Sequence, residues 1–392
     1  TMTCCLLLAM FGIVDIPKAF GGFGNKIVVL IAPMLVLSAA LGKTSLVMKI
    51  SSVLNAAKGK RGTVLILVFY AVGPTTAAIS ILVIFLLTLD NAGDITPKRL
   101  LLPLLGVMVG CKFRFPVGLG ATTFATLNGM YEGVIGDHPE YMLSMLDPFK
   151  VAIIPMVVLT IYCLFAWKLM PKEEGINQDA LKKTSTEKQL TDAQEMIVYG
   201  VFVVVMLLML LNKYTGNMLY LAPAAGVLVL IYTKVVSVPE AVKGLTADMT
   251  WMLAGVLIVA DALGSTGAGD MIGNAILSIL GENPSSVTVM FVFSFATVIM
   301  TTFLSNMATQ SVLIPIAASV ALAAGWDPRG LVLIIGTCNY YALGFPSGSG
   351  EAAVCFAAGG YNPLKVMKFT FPYMIIAAIS TAVSAQLLFP LY

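Results

Sequence analysis

Polar and apolar positions fall along this chain in long blocks. They follow neither the period of an amphipathic helix nor that of a strand. Uninterrupted apolar runs such as 196–212 and 217–233 approach the ~18–20 residues that cross a bilayer as an α-helix. The blocks predict spans at about 1–14 and 26–41, a basic amphipathic segment at 45–61, a hydrophobic hairpin at 63–89, and spans at about 100–135 and 150–170. A second series follows, with spans at 195–212, 217–236 and 248–264, an interfacial segment, a hairpin at 286–322, and spans at 330–360 and 366–390. The one long polar stretch, 171–193, reads as a cytoplasmic linker between a first half, 1–170, and a second, 194–392.

Sliding the chain against itself by 222 residues brings the halves into register: Pro17 falls on Pro239, Gly22 on Gly244, Ala32 on Ala254, Leu35 on Leu257, and Ala40-Leu41-Gly42 on Ala262-Leu263-Gly264. After a short insertion near 282–286 the offset becomes 230, and FPVGLG (115–120) meets FPSGSG (345–350). Residues 42–62 hold five bases and no acid, whereas 264–286 hold Asp270 and Glu282 and no base, so the positive-inside rule puts these matching segments on opposite faces. The pattern predicts two inverted-topology repeats in an all-α polytopic membrane protein. With each hairpin re-entering on its own side, sixteen bases lie on cytoplasmic segments and five outside. The C-terminus is then external. The span 195–212 has no mate in the first half, and its counterpart is expected before Thr1.

Composition agrees with a membrane class: 58% of residues are hydrophobic, 11% are charged, and mean hydropathy is +0.93. The net charge of +3 and the lack of a basic run give no reason to expect nucleic acid. Six cysteines without CxxC or Cys/His spacing indicate neither a disulfide framework nor a zinc site.

The hairpins turn at polar tips, 72–76 and 304–309. Unpaired backbone groups at membrane depth are tolerated only where protein or a water-filled cavity satisfies them, so two such tips imply a shared cavity. In FPxGxG the proline removes a donor and the glycines favour unwinding, which predicts that two spans are each split into half-helices. Freed carbonyls suit a cation, and helix N-termini suit an anion. The plainer reading makes these residues kinks that allow close packing. Lys112, Arg114 and Glu351 flank the breaks, and charges at that depth face a cavity or a partner. In one reading Arg114 or Lys112 is the counter-charge of an anionic substrate and Glu351 a coupling site; in the other, Glu351 pairs with one of the bases. Asp261 reads as a packed or interface-facing carboxylate.

From AFGGFGNKIVVLIAPMLVLSAALGKTS (19–45) to TFPYMIIAAISTAVSAQLLFPLY (370–392) the sequence resembles the divalent anion:sodium symporters of the ion transporter superfamily. LSNMATQSVLIPIA (304–317) is the sharpest match, similar to that family's Ser-Asn-Thr tip, although Met307 stands third here and the first tip reads Gly-Pro-Thr. The resemblance implies a homodimeric elevator carrier of a bacterial inner or plasma membrane, moving a di- or tricarboxylate with Na⁺. It implies substrate contacts from Gly73, Pro74, Thr75, Ser305, Asn306, Met307 and Gly348, with Arg114 beside them. Sodium would be held near Gly73, Gly118 and Gly120 in one half and near Thr301, Asn306, Ser347 and Ser349 in the other. A proton-coupled or exchange carrier, with Glu351 as coupling group, is the second reading. A remote third is an intramembrane aspartyl protease, from the GxGD match at 267–270, although no second carboxylate motif accompanies it.

Overall fold

A computed structural model describes residues 2–45, 96–116, 118–136, 138–171, 190–211, 214, 218–281 and 284–392. The first hairpin, its tip, the basic segment at 46–61 and most of the linker lie outside them. In chain order the helices are α1 (Met2–Met10), α2 (Ile16–Gly21), α3 (Lys26–Gly42), α4 (Pro97–Cys111), α5 (Thr123–Ile135), α6 (Asp147–Ala166), α7 (Asp192–Leu210) and α8 (Met218–Tyr232). They continue as α9 (Val238–Leu245), α10 (Asp248–Ser265), α11 (Ala268–Leu280), α12 (Ser286–Phe303), α13 (Asn306–Ala323), α14 (Arg329–Cys338), α15 (Gly350–Gly359) and α16 (Pro363–Leu388).

Helix starts follow local capping chemistry. The side chains of Asn25, Thr96, Thr191, Ser237, Ser285, Ser305, Ser349 and Asn362 each accept a backbone N–H of the first turn, filling a donor the helix leaves unmet. Six helices among the described residues are long and apolar enough to cross a membrane, and Ile16–Gly24 with Lys26–Gly42 form a further pair bent by 45°. The expected span at 1–14 is instead the nine-residue α1 followed by α2. α2 and α3 begin at Ile16 and Lys26, α9 and α10 at Val238 and Asp248, so both pairs stand at the 222-residue offset.

The helices form two groups. In one, α14 is buried on every side from Gly330 to Cys338, with α12, α13 and α16 around it, and α6 joins α16 to α4. A helix apolar all round belongs in such a core. In the other, α3 packs on α8 and α9, and α7 on α8. The groups meet where α10 lies along α5 and α11 along α13. Ile153, Val157, Ile161 and Phe165, one turn apart on α6, are exposed and form an apolar stripe suited to lipid. All six cysteines are free thiols, five of them buried among apolar side chains.

Candidate functional site

Both FPxGxG phrases interrupt helices. The first break separates α4 from α5 and closes with the 3₁₀ turn Gly118–Thr122; the second separates α14 from α15 around the turn Pro346–Gly348. Each break needs a residue without a side chain. A Cβ on Gly120 would lie 2.0 Å from Phe115 O, and one on Gly348 would lie 2.7 Å from Ala342 Cβ and Ala342 O. Between them α12 and α13 form the second hairpin, turning at Leu304 and Ser305.

Phe113 holds a left-handed backbone, φ 56°, which is unfavourable for an aromatic residue and marks a constrained turn. That turn sends its two charged neighbours to different places. Arg114, 1% exposed, donates from Nη1 to Gly336 O (3.0 Å) and from Nη2 to Thr337 O (2.5 Å). Its guanidinium also lies over Tyr340, 4.9 Å from the ring centre. The guanidinium therefore caps the C-terminus of α14, where carbonyls and helix dipole favour a cation. Lys112, just beyond the C-terminus of α4, pairs with Glu351 in the first turn of α15. Each charge sits at the helix end that favours it.

Asn306 opens α13, and its amide points at the second break. The amide atom facing inward is 2.9 Å from Asn339 O, 3.1 Å from Gly348 O and 2.9 Å from Thr301 Oγ1. Read as nitrogen, it donates to these acceptors. Read as oxygen, it would face two carbonyls and a hydroxyl that already donates to Asn339 O (2.7 Å), so the nitrogen orientation is the one that satisfies the cluster. Asn339 Oδ1 is also buried without a hydrogen-bond partner among the described residues.

On the other side of Asn306 lies a cavity of about 230 Å³, well above the ~30 Å³ share of a single water. Lys112, Phe113, Thr122, Thr123 and Thr126 line it from the first broken pair, and Asn306, Met307 and Gln310 from α13, with Tyr340 beside them.

The expected site residues sort accordingly. Asn306 and Met307 line the cavity, while Thr301, Asn306 and the Gly348 carbonyl meet in the oxygen ring. Ser305 Oγ instead caps Ala308 N (3.2 Å), Ser349 Oγ caps Ala352 N (3.0 Å), and Ser347 Oγ donates to Thr302 O (2.9 Å). Gly118 and Gly120 belong to the first 3₁₀ turn, and Gly73, Pro74 and Thr75 lie outside the described residues. Arg114 needs a correction of place, because the α14 carbonyls hold it away from the cavity and the base that lines the cavity is Lys112. Gln310, Asn339, Thr123 and Thr126 were not anticipated. Gln310 carried a signal, as a lone amide four residues after Asn306 on an apolar arm. Asp261 forms an ion pair with Lys18, 2.7 Å apart.

Gly348→Ala is expected to push the Gly348 carbonyl away from Asn306 and, if a cation sits in the ring, to weaken its binding about tenfold or more. Isothermal titration of the purified protein with NaCl checks this; unchanged affinity would exclude Gly348 O as a ligand.

Broken helices, a polar hairpin tip and an oxygen-rich niche inside an apolar bundle define a membrane transporter. The chain belongs to the citrate transporter family, whose sequence profile matches residues 1–336. It is 23% identical to an uncharacterised transporter, sll0640 of Synechocystis sp., over 165 residues, 42% of this chain and 27% of that protein. It is 20% identical over 420 residues to the sodium-dependent dicarboxylate transporter SdcS of Staphylococcus saprophyticus, covering 98% of this chain and 80% of that one. An uncharacterised transporter of Methanocaldococcus jannaschii, MJ0672, is 23% identical, with 68% of this chain and 61% of that protein aligned. The fold is that of the YdaH transporter of Alcanivorax borkumensis (TM-score 0.64, 14% identity, 97% of this chain and 87% of that one). It is also that of MtrF of Neisseria gonorrhoeae, described as illuminating a class of antimetabolite efflux pumps (TM-score 0.60, 13% identity, 98% and 84%).

Family membership makes this an integral membrane transporter and removes the protease reading of 267–270. In the structure Asp270 falls in the first turn of α11. On an exposed loop His138 Nδ1 lies 2.8 Å from Glu140 Oε1, a hydrogen bond that holds the Glu140 carboxyl below its usual range.

Proposed function

We propose that this secondary carrier moves a di- or tricarboxylate together with Na⁺. The observation that carries the reading is the ring of acceptor oxygens, Asn339 O, Gly348 O and Thr301 Oγ1, around the Asn306 amide, beside a cavity that Lys112 lines. A cation in that ring would hold the hairpin tip against the second break and supply positive charge next to an arriving anion. The name of the SdcS relative is consistent with this pairing.

Movement by an elevator step of the α14-centred group against the α3–α8 group, in two inverted repeats and in a homodimer, belongs to the same proposal. Its support is the matching element starts at offset 222 and the division into two helical groups. Inversion has a direct test. Exposed His138 and exposed Asn362 follow corresponding broken pairs, so single cysteines there, in a background without other cysteines, are expected to react with a membrane-impermeant reagent from opposite faces. Labelling of both from one face would refute the inverted arrangement.

For the activity, purified protein in proteoliposomes is given a panel of carboxylates under Na⁺ and H⁺ gradients imposed separately. Accumulation driven by Na⁺ is expected. Accumulation that follows only the proton gradient would favour the second reading, a proton-coupled or exchange carrier, for which the Lys112–Glu351 pair is the specific observation.

A further inference from the structure

Two features of the cavity play no part in the sodium reading. Lys112, its side chain 17% exposed, lines the cavity and is paired with Glu351 from the other break. Gln310, 2% exposed and one turn beyond Asn306, lines the same cavity with an amide that can donate two hydrogen bonds.

Resting on the carrier reading above, we propose that Lys112 is the counter-charge for the substrate's carboxylate, that the arriving carboxylate displaces Glu351 from it, and that the Gln310 amide donates to the same anion. The hydroxyl protons on the first broken pair are committed: Thr122 donates to Leu119 O (2.8 Å), Thr123 to Phe113 O (3.1 Å) and Thr126 to Thr122 O (3.2 Å). These threonines therefore turn lone pairs toward the cavity, and an anion must find its donors in Lys112 and in the α13 amides. Arg114 is excluded because its guanidinium is bound to the α14 carbonyls.

In the empty carrier Glu351 neutralises Lys112 and repels a second carboxylate. Anion binding and the release of Glu351 are thereby tied at one ammonium.

The test uses the full chain, with thermal stabilisation by succinate or citrate in detergent as the binding readout. Glu351→Gln is expected to bind the anion about tenfold more tightly than the wild type at the same pH. Gln310→Leu should weaken binding about tenfold. Should Lys112→Gln fold poorly through the unpaired Glu351, the neutral double variant Lys112→Gln/Glu351→Gln is read instead; it should fold and bind at least about thirtyfold more weakly. A structural ion pair alone would make Glu351→Gln bind no better and would leave the double variant binding normally. Either result overturns the proposal, as does a wild type that neither anion stabilises. A wild type that binds the anion but transports nothing refutes the carrier reading and leaves this assignment standing.

Discussion

Asn306→Ala is expected to abolish carboxylate uptake while the protein still folds. The side chain is one amide at the start of α13, and removing it takes a hydrogen-bond partner from Asn339 O and from Gly348 O, a stability cost of about 1–3 kcal/mol. The loss of function is larger. If that atom is an oxygen ligand to a cation, deleting it should raise the Kd for Na⁺ roughly a hundredfold, about 2.7 kcal/mol. Asn306→Asp separates the two readings of the amide. A carboxylate keeps an oxygen in the ring, so a cation site should survive or tighten, whereas an amide that donates to three acceptors would be replaced by repulsion. Uptake and sodium titration on both variants check this, and normal sodium-dependent uptake by Asn306→Ala would remove Asn306 from the site.

Arg114→Gln should behave in the opposite way and lose the folded protein. Two charge-assisted hydrogen bonds to Gly336 O and Thr337 O, each about 1.5–3 kcal/mol, end together, and α14 loses its C-terminal cap at the centre of the core. The expected cost is about 3–5 kcal/mol, a large part of the stability typical of a protein domain. Arg114→Lys should recover only part of it, since an ammonium reproduces the charge but not the fork that reaches two carbonyls. Detergent size-exclusion profiles and melting curves measure the effect. A monodisperse Arg114→Gln protein with unchanged melting temperature would contradict the capping role. High salt should rescue neither variant, because the guanidinium is screened from solvent by burial.

Much of the architecture was legible because it depends on short-range chemistry. Apolar run length placed α3, α7, α10, α12, α13 and α16 close to their observed bounds, and FPxGxG marked both breaks. The tip at Ser305 and Asn306 showed itself as polar residues between two apolar arms. Hydroxyls were harder to assign. Ser305, Ser347 and Ser349 were expected at substrate or sodium, and each has a backbone partner, within its own turn for Ser305 and Ser349 and beside the hairpin tip for Ser347. A serine at a helix start is a cap before it is a ligand, because that hydrogen bond needs no distant element to form.

The sequence by itself determined where helices start, where two of them break, that the bundle belongs in a membrane, and that Lys112, Arg114 and Glu351 stand at the breaks. Those properties come from residue type and spacing within a turn or two. Only the tertiary structure decided which base faces the cavity. Lys112 and Glu351 are 239 residues apart, Arg114 and Gly336 are 222 apart, and no local rule relates them. The two cations are separated by one residue, Phe113, whose left-handed backbone directs one to the cavity and the other into the core. That conformation is unfavourable for an isolated chain and persists because packing across the two breaks holds both side chains in place.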